Sequence, residues 1–264
     1  MDEVKTTLGR VGGRVTSRDG TTIAYERHGD GAGPPLVVVS GALGTAASER
    51  PLAKLLARRF PVVAYDRRGR GGSGDTGPYA VEREIEDLAA VTAEAGSGAA
   101  LYGAGTGGAL ALAAVAAGLS AGPVSVYEPP YSAEAAARHG RAAELLGRGQ
   151  PGAALDVFLA EWGVPAEAWP GGDASASTLA YDHALLGDGT LPERRLAGVH
   201  ARVLVVDGGA SPAWARRAAR ALTAVLPRAR HRTLTGQTHE VAPHVLAPVL
   251  ADFLAEERET SEAA

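Results

Sequence analysis

The run AALYGAGTGGALAL at positions 99–112 reads as a strand, a tight glycine turn and a helix. This arrangement can lift one residue clear of its neighbours toward a substrate. Thr106 carries the one aliphatic hydroxyl in that turn. With no cysteine in the chain, a thiolate nucleophile, a Cys-ligated metal and a disulfide framework are all excluded. GAGTGG is not a dinucleotide site, since it lacks the G-x-G-x-x-G partnership with an acidic residue in a first βαβ unit. No G-x-x-x-x-G-K-[ST] phosphate loop occurs either. The seven histidines are scattered, and His239 and His244, five apart, have no third ligand beside them, so neither a metal nor a cofactor is expected.

Those residues need elements to hold them. At 264 residues the chain is long enough for one large domain or two small ones. Continuous apolar runs at 36–40, 61–65, 99–102, 124–127 and 202–206 have the pattern of strands buried on both faces. Helical patterns at 49–59, 81–95, 108–118, 212–226 and 241–256 separate most of them, which predicts a mainly parallel α/β sheet with right-handed crossovers. Ahead of these, residues 13–28 alternate around Asp19-Gly20 as a hairpin does. The interval 131–199 has no buried-strand run and reads as an inserted helical cap between core segments 13–130 and 200–257. Residues 1–12 and 258–264 lack apolar periodicity and are expected to fray.

A net charge of −4, from 26 basic and 30 acidic residues, leaves no basic stripe for a nucleic acid. The polar amino terminus has no secretory pattern, and the apolar stretch 109–119 is too short to span a bilayer, so a cytoplasmic protein without membrane contact is expected.

The glycine turn resembles the nucleophile elbow of the α/β-hydrolase family, G-x-S-x-G between a strand and a helix. The resemblance extends to the hairpin, VVVSGAL (37–43), YDRRGRGGSGD (65–75), VYEPPY (126–131) and GQTHE (236–240), nearly the whole chain in family order. It implies a mainly parallel eight-stranded sheet flanked by helices, with the cap inserted after the sixth strand. Aligned without a gap, GAGTG puts Gly105 at the nucleophile position, and a one-residue slip would put Thr106 there instead. By the same resemblance His239 matches the catalytic histidine. The acid that orients it is Glu128 or Asp207, with Glu128 preferred, and the oxyanion-hole donors are the N–H groups of Ala42 and Thr106. Ser40, where the family often has histidine, joins Trp162, Trp169, Tyr181 and His183 as possible pocket residues. The arginines of 67–70 read as a solvated structural loop at the mouth of the sheet, in preference to a loop that faces an anionic substrate.

A glycine at that position closes the acyl-enzyme route. An oxyanion hole with binding still supplies roughly a thousand- to ten-thousandfold acceleration. The leading expectation is therefore a cofactor-independent, non-hydrolytic enzyme, with His239 as general acid/base in addition, cyclisation, C–C bond formation or elimination on a carbonyl-bearing, apolar or aromatic small molecule. Bacterial natural-product biosynthesis is the expected setting. Two alternatives stay open: an esterase- or lactonase-like hydrolase using His-activated water or Thr106, and a non-catalytic ligand-binding protein. A monomer or a homodimer is expected.

Overall fold

The computed structural model describes residues 10–160 and 175–262. Eight strands form one sheet in the order β1-β2-β4-β3-β5-β6-β7-β8. They are β1 (Arg10–Thr16), β2 (Thr22–His28), β3 (Leu36–Val39), β4 (Val62–Tyr65), β5 (Ala100–Ala104), β6 (Val124–Tyr127), β7 (Val203–Gly208) and β8 (Ala229–Leu234). β1 pairs with β2 and β2 with β4 antiparallel; every other pair is parallel.

The apolar runs occupy the middle of the sheet because both of its faces are covered. Val37 and Val39 point into one core layer with Leu88, Val91 and Leu110. Leu36 and Val38 point into the other with Leu52, Leu56 and Leu250. The first layer is closed by α2 (Val81–Ala95) and α3 (Thr106–Ala116) together with α8 (Ala213–Val225); the second is closed by α1 (Ala46–Leu56) and α9 (Pro243–Glu262). Two expectations about the ends are corrected. Residues 10–12 belong to β1, held by seven cross-strand partners from Arg10↔His28 to Thr16↔Thr22. The last helix runs on to Glu262, beyond the predicted limit. β8 lies at the sheet edge with four of its six residues exposed, so it has no apolar run to reveal it.

After β6 the chain makes the helical insert, with α4 (Ala133–Gly147) and α5 (Pro151–Leu159), then a short 3-10 turn leading into α6 (Leu179–Leu186) and α7 (Glu193–Leu196). Ser132 caps α4, its hydroxyl accepting from the Ala135 N–H at 3.1 Å. The insert has its own apolar core of Ala142, Leu155, Phe158, Leu159 and Leu179, which Leu43 enters from the loop after β3. That contact ties the insert to the loop carrying Ala42.

Candidate active site

Gly105 follows β5 and caps α3 with φ 51° and ψ −123°, a conformation glycine adopts without the cost a Cβ would add. The packing around it needs small residues. A Cβ at Gly107 would fall 2.2 Å from the Val39 carbonyl oxygen, and one at Gly103 would fall 2.5 Å from the Gly107 carbonyl oxygen. Gly105 differs, for a Cβ there would meet nothing closer than His239, at 3.6 Å from Cε1 and 3.7 Å from Nε2. A hydroxyl on that carbon would come within hydrogen-bonding reach of Nε2.

His239 arrives on the loop between β8 and α9. Gly236 turns that loop at φ 72°, and the Thr238 carbonyl accepts from the Tyr127 hydroxyl. The His239 Nδ1 lies 3.0 Å from Glu128 Oε2. A carboxylate only accepts, so Nδ1 carries the proton and Nε2 is left as the basic nitrogen facing Gly105. Glu128 is buried just past β6, at φ 46°, where its other oxygen accepts from the Gly208 N–H at 2.8 Å. Asp207, the other candidate acid, is buried against His231 instead, with Oδ2 3.1 Å from Nε2. Gly41-Ala42 after β3, Gly105 after β5, Glu128 after β6 and His239 after β8 thus meet beyond the carboxyl ends of the strands, where α/β sheets place ligands.

These residues, Glu128 apart, open onto a cavity of about 290 Å³. Its walls include Leu52, Phe158, Leu159, Trp214 and Leu246, with Arg138 from the insert lying 5.4 Å over the Trp214 ring. Two titratable side chains at the wall carry no motif that sequence reasoning could have found. Burial and the nearby Glu240 push the Glu49 carboxyl up to about 7, only partly offset by a hydrogen bond from Ser48. Burial takes the His139 imidazole down to about 4, so it is neutral near pH 7.

Several expected pocket residues are placed elsewhere. Ser40 is buried, but it does not line the cavity. Tyr181 stacks on Tyr79 with ring centroids 3.8 Å apart and donates to Asp75, away from the cavity. His183 packs against Gly140 and does not line the cavity either. Trp162 and Trp169 lie outside the described residues. The Thr106 hydroxyl does not face His239; it accepts from Arg67 Nη1 at 3.2 Å.

The arginine loop is corrected most. Arg67, Arg68 and Arg70 are among the largest fully buried side chains of the protein, and none is solvated. Arg67 holds Glu84 through two hydrogen bonds and Asp182 through a third. Arg70 reaches the other Asp182 oxygen at 2.8 Å and Thr178 Oγ1 at 3.0 Å. Arg68 pairs with Asp87 and Asp19. Burial raises the Asp182 carboxyl, but Arg70 and Arg67 outweigh it and hold it at about 2.

Among the described residues no group of three or more His, Asp or Glu is placed to hold a metal ion, and no helix is long and apolar enough to cross a membrane.

A mainly parallel sheet covered on both faces, with a histidine and a carboxylate meeting at a strand-turn-helix elbow, defines the hydrolase type of α/β architecture. The chain belongs to the Alpha/beta hydrolase family, which matches it over residues 36–252. It is 48% identical to an alpha/beta hydrolase from Sphaerobacter thermophilus DSM 20745, with a TM-score of 0.82 over 91% of this chain and 99% of that one. A thermophilic esterase from Thermogutta terrifontis shares the fold at 18% identity, with a TM-score of 0.76 over 94% of this chain and 98% of that one. A candidate carbamate hydrolase, RutD, of Azorhizobium caulinodans is 41% identical over 73 residues. That match covers 27% of this chain and 27% of the relative, so the chain spans about a quarter of the length of the curated relatives it matches.

Proposed function

We propose that the protein is a hydrolase of a small ester, amide or carbamate in which His239, oriented by Glu128, activates water directly. Gly105 stands where other members of the fold carry a nucleophile. The observation that carries this reading is the space beside Gly105, bounded by His239 Nε2, with Glu128 holding the opposite nitrogen at 3.0 Å. A water in that space would lose a proton to Nε2 as its oxygen attacks the substrate carbonyl. The oxyanion so formed would accept from the N–H groups of Ala42 and Thr106. Collapse breaks the bond to the leaving alcohol or amine, which takes the proton back from His239. A cavity of about 290 Å³ lies at the small end of ligand pockets and favours a compact acyl group against its apolar wall.

The same base and donors would serve the addition, cyclisation or elimination expected from the sequence. The hydrolase and esterase names of the relatives favour water as the attacking group. Thr106 is disfavoured as nucleophile because its hydroxyl is engaged by buried Arg67. Retention of the Glu128–His239 pair argues for turnover over passive binding.

Replacing His239 with alanine tests this on a panel of p-nitrophenyl esters and aryl carbamates. Turnover is expected to fall by about a hundred- to ten-thousandfold with substrate affinity nearly intact. Full activity in His239→Ala would overturn the proposal.

A further inference from the structure

Arg70 lies on the loop after β4 and does not line the cavity, yet its guanidinium grips the backbone that carries one of the proposed donors. Arg70 Nη1 donates to the Gly41 carbonyl at 2.6 Å, and the Gly44 N–H donates to the same oxygen at 3.2 Å. In a trans peptide the carbonyl of one residue and the N–H of the next point in opposite directions. Fixing the Gly41 oxygen therefore fixes the Ala42 N–H on the far side of the same plane. Gly41 and Ala42 both line the cavity beside Gly105, and among the described residues no hydrogen-bond acceptor meets the Ala42 N–H. Arg70 is itself held on its other edges by Thr178 and Asp182 of the insert and is 2% exposed.

We propose that Arg70 is a positioning residue that aims the Ala42 N–H at the substrate oxyanion by clamping the Gly41 carbonyl, with Asp182 and Thr178 of the helical insert anchoring the clamp. The inference rests on the oxyanion role proposed above for Ala42 and Thr106. The two donors have separate supports. Thr106 presents its N–H from the first turn of α3, whose geometry is set by the helix. Ala42 lies in a turn with no helix to hold it. Loss of the clamp thus acts on one donor and spares the other, whereas a general loosening of the fold would disturb both.

The test is an amide-shift titration of the 15N-labelled full chain with phenylphosphonate, a tetrahedral anion standing in for the reaction's oxyanion. In the unaltered protein both the Ala42 and Thr106 resonances are expected to move on saturation. Arg70→Lys keeps the charge toward Asp182 but loses the planar fork that spans three acceptors. It is expected to abolish most of the Ala42 shift, leave the Thr106 shift, and weaken phenylphosphonate binding about tenfold. Thr178→Val removes the Nε acceptor, together with the hydroxyl's local bond to the Ser175 carbonyl, and leaves Arg70 its Asp182 and Gly41 partners; it is the variant to use if Arg70→Lys does not fold, and it is expected to reduce the Ala42 shift selectively and by less. Equal Ala42 and Thr106 responses in the variants, whether retained or lost together, would overturn the clamp. If neither amide responds in the unaltered protein, the oxyanion reading fails and the clamp fails with it.

Discussion

Three residues carry the proposed chemistry, and each holds its place for a different physical reason. Gly105 keeps a backbone conformation that a side chain would strain, Glu128 endures a positive φ because its carboxylate is fixed by Gly208 and His239, and His239 is aimed by that carboxylate. Glu128→Gln keeps the shape but no longer dictates which ring nitrogen carries the proton. It is expected to lower kcat by about a hundred- to ten-thousandfold with KM little changed, as steady-state kinetics would show. Glu49 gives a second residue-scale expectation. Its carboxyl titrates at about 7 in the folded protein against an ordinary 4.5, so folding favours the protonated form. The stability this contributes is complete below about pH 4.5 and is lost as the pH rises through about 7. Thermal melts of Glu49→Gln are expected to show a flatter dependence between those values and a higher Tm than the unaltered protein at pH 8. No change in the profile would remove Glu49 from the list of titrating groups.

At the scale of elements, the site depends on strands ending at one edge and on an elbow too tight for side chains. Gly107→Ala would drive a methyl group to 2.2 Å from the Val39 carbonyl oxygen, which backbone movement alone can relieve. The expected cost is about 1–3 kcal/mol, measured as a lower denaturant midpoint. How much of this was legible in the sequence follows from burial. β3, β4, β6 and β7 are covered on both faces and announce themselves as apolar runs, whereas β8 is a polar edge strand and does not. The elbow, Glu128 and His239 were readable because short motifs carry them. Arg67 and Arg70 were not, because their partner Asp182 lies more than a hundred positions away and a buried arginine reads like a solvated one. The cavity walls contributed by the insert, His139 and Arg138 among them, had no motif, and Tyr181 proved to be a stacking partner of Tyr79.

At the scale of the molecule, the insert and the sheet are joined by a buried ionic junction as well as by apolar packing. Asp182 on α6 pairs with both Arg67 and Arg70 from the core, so its removal would leave the buried Arg70 guanidinium without a carboxylate and Arg67 with Glu84 alone. Asp182→Ala is expected to destabilise the protein by about 3–5 kcal/mol in urea unfolding, far beyond a surface ion pair. Since its folded carboxyl titrates at about 2 against an ordinary 3.8, the stability it contributes is present above about pH 4 and is lost as the pH falls through 2. All of this structure surrounds Gly105, and the proposed hydrolysis proceeds there without a covalent intermediate. Whole-protein mass spectrometry after treatment with a fluorophosphonate tests it in the unaltered chain and in Gly105→Ser, whose added carbon has ordinary contact distances to His239. The unaltered protein is expected to keep its mass and Gly105→Ser to gain one adduct; an adduct on Thr106 of the unaltered protein would contradict the account.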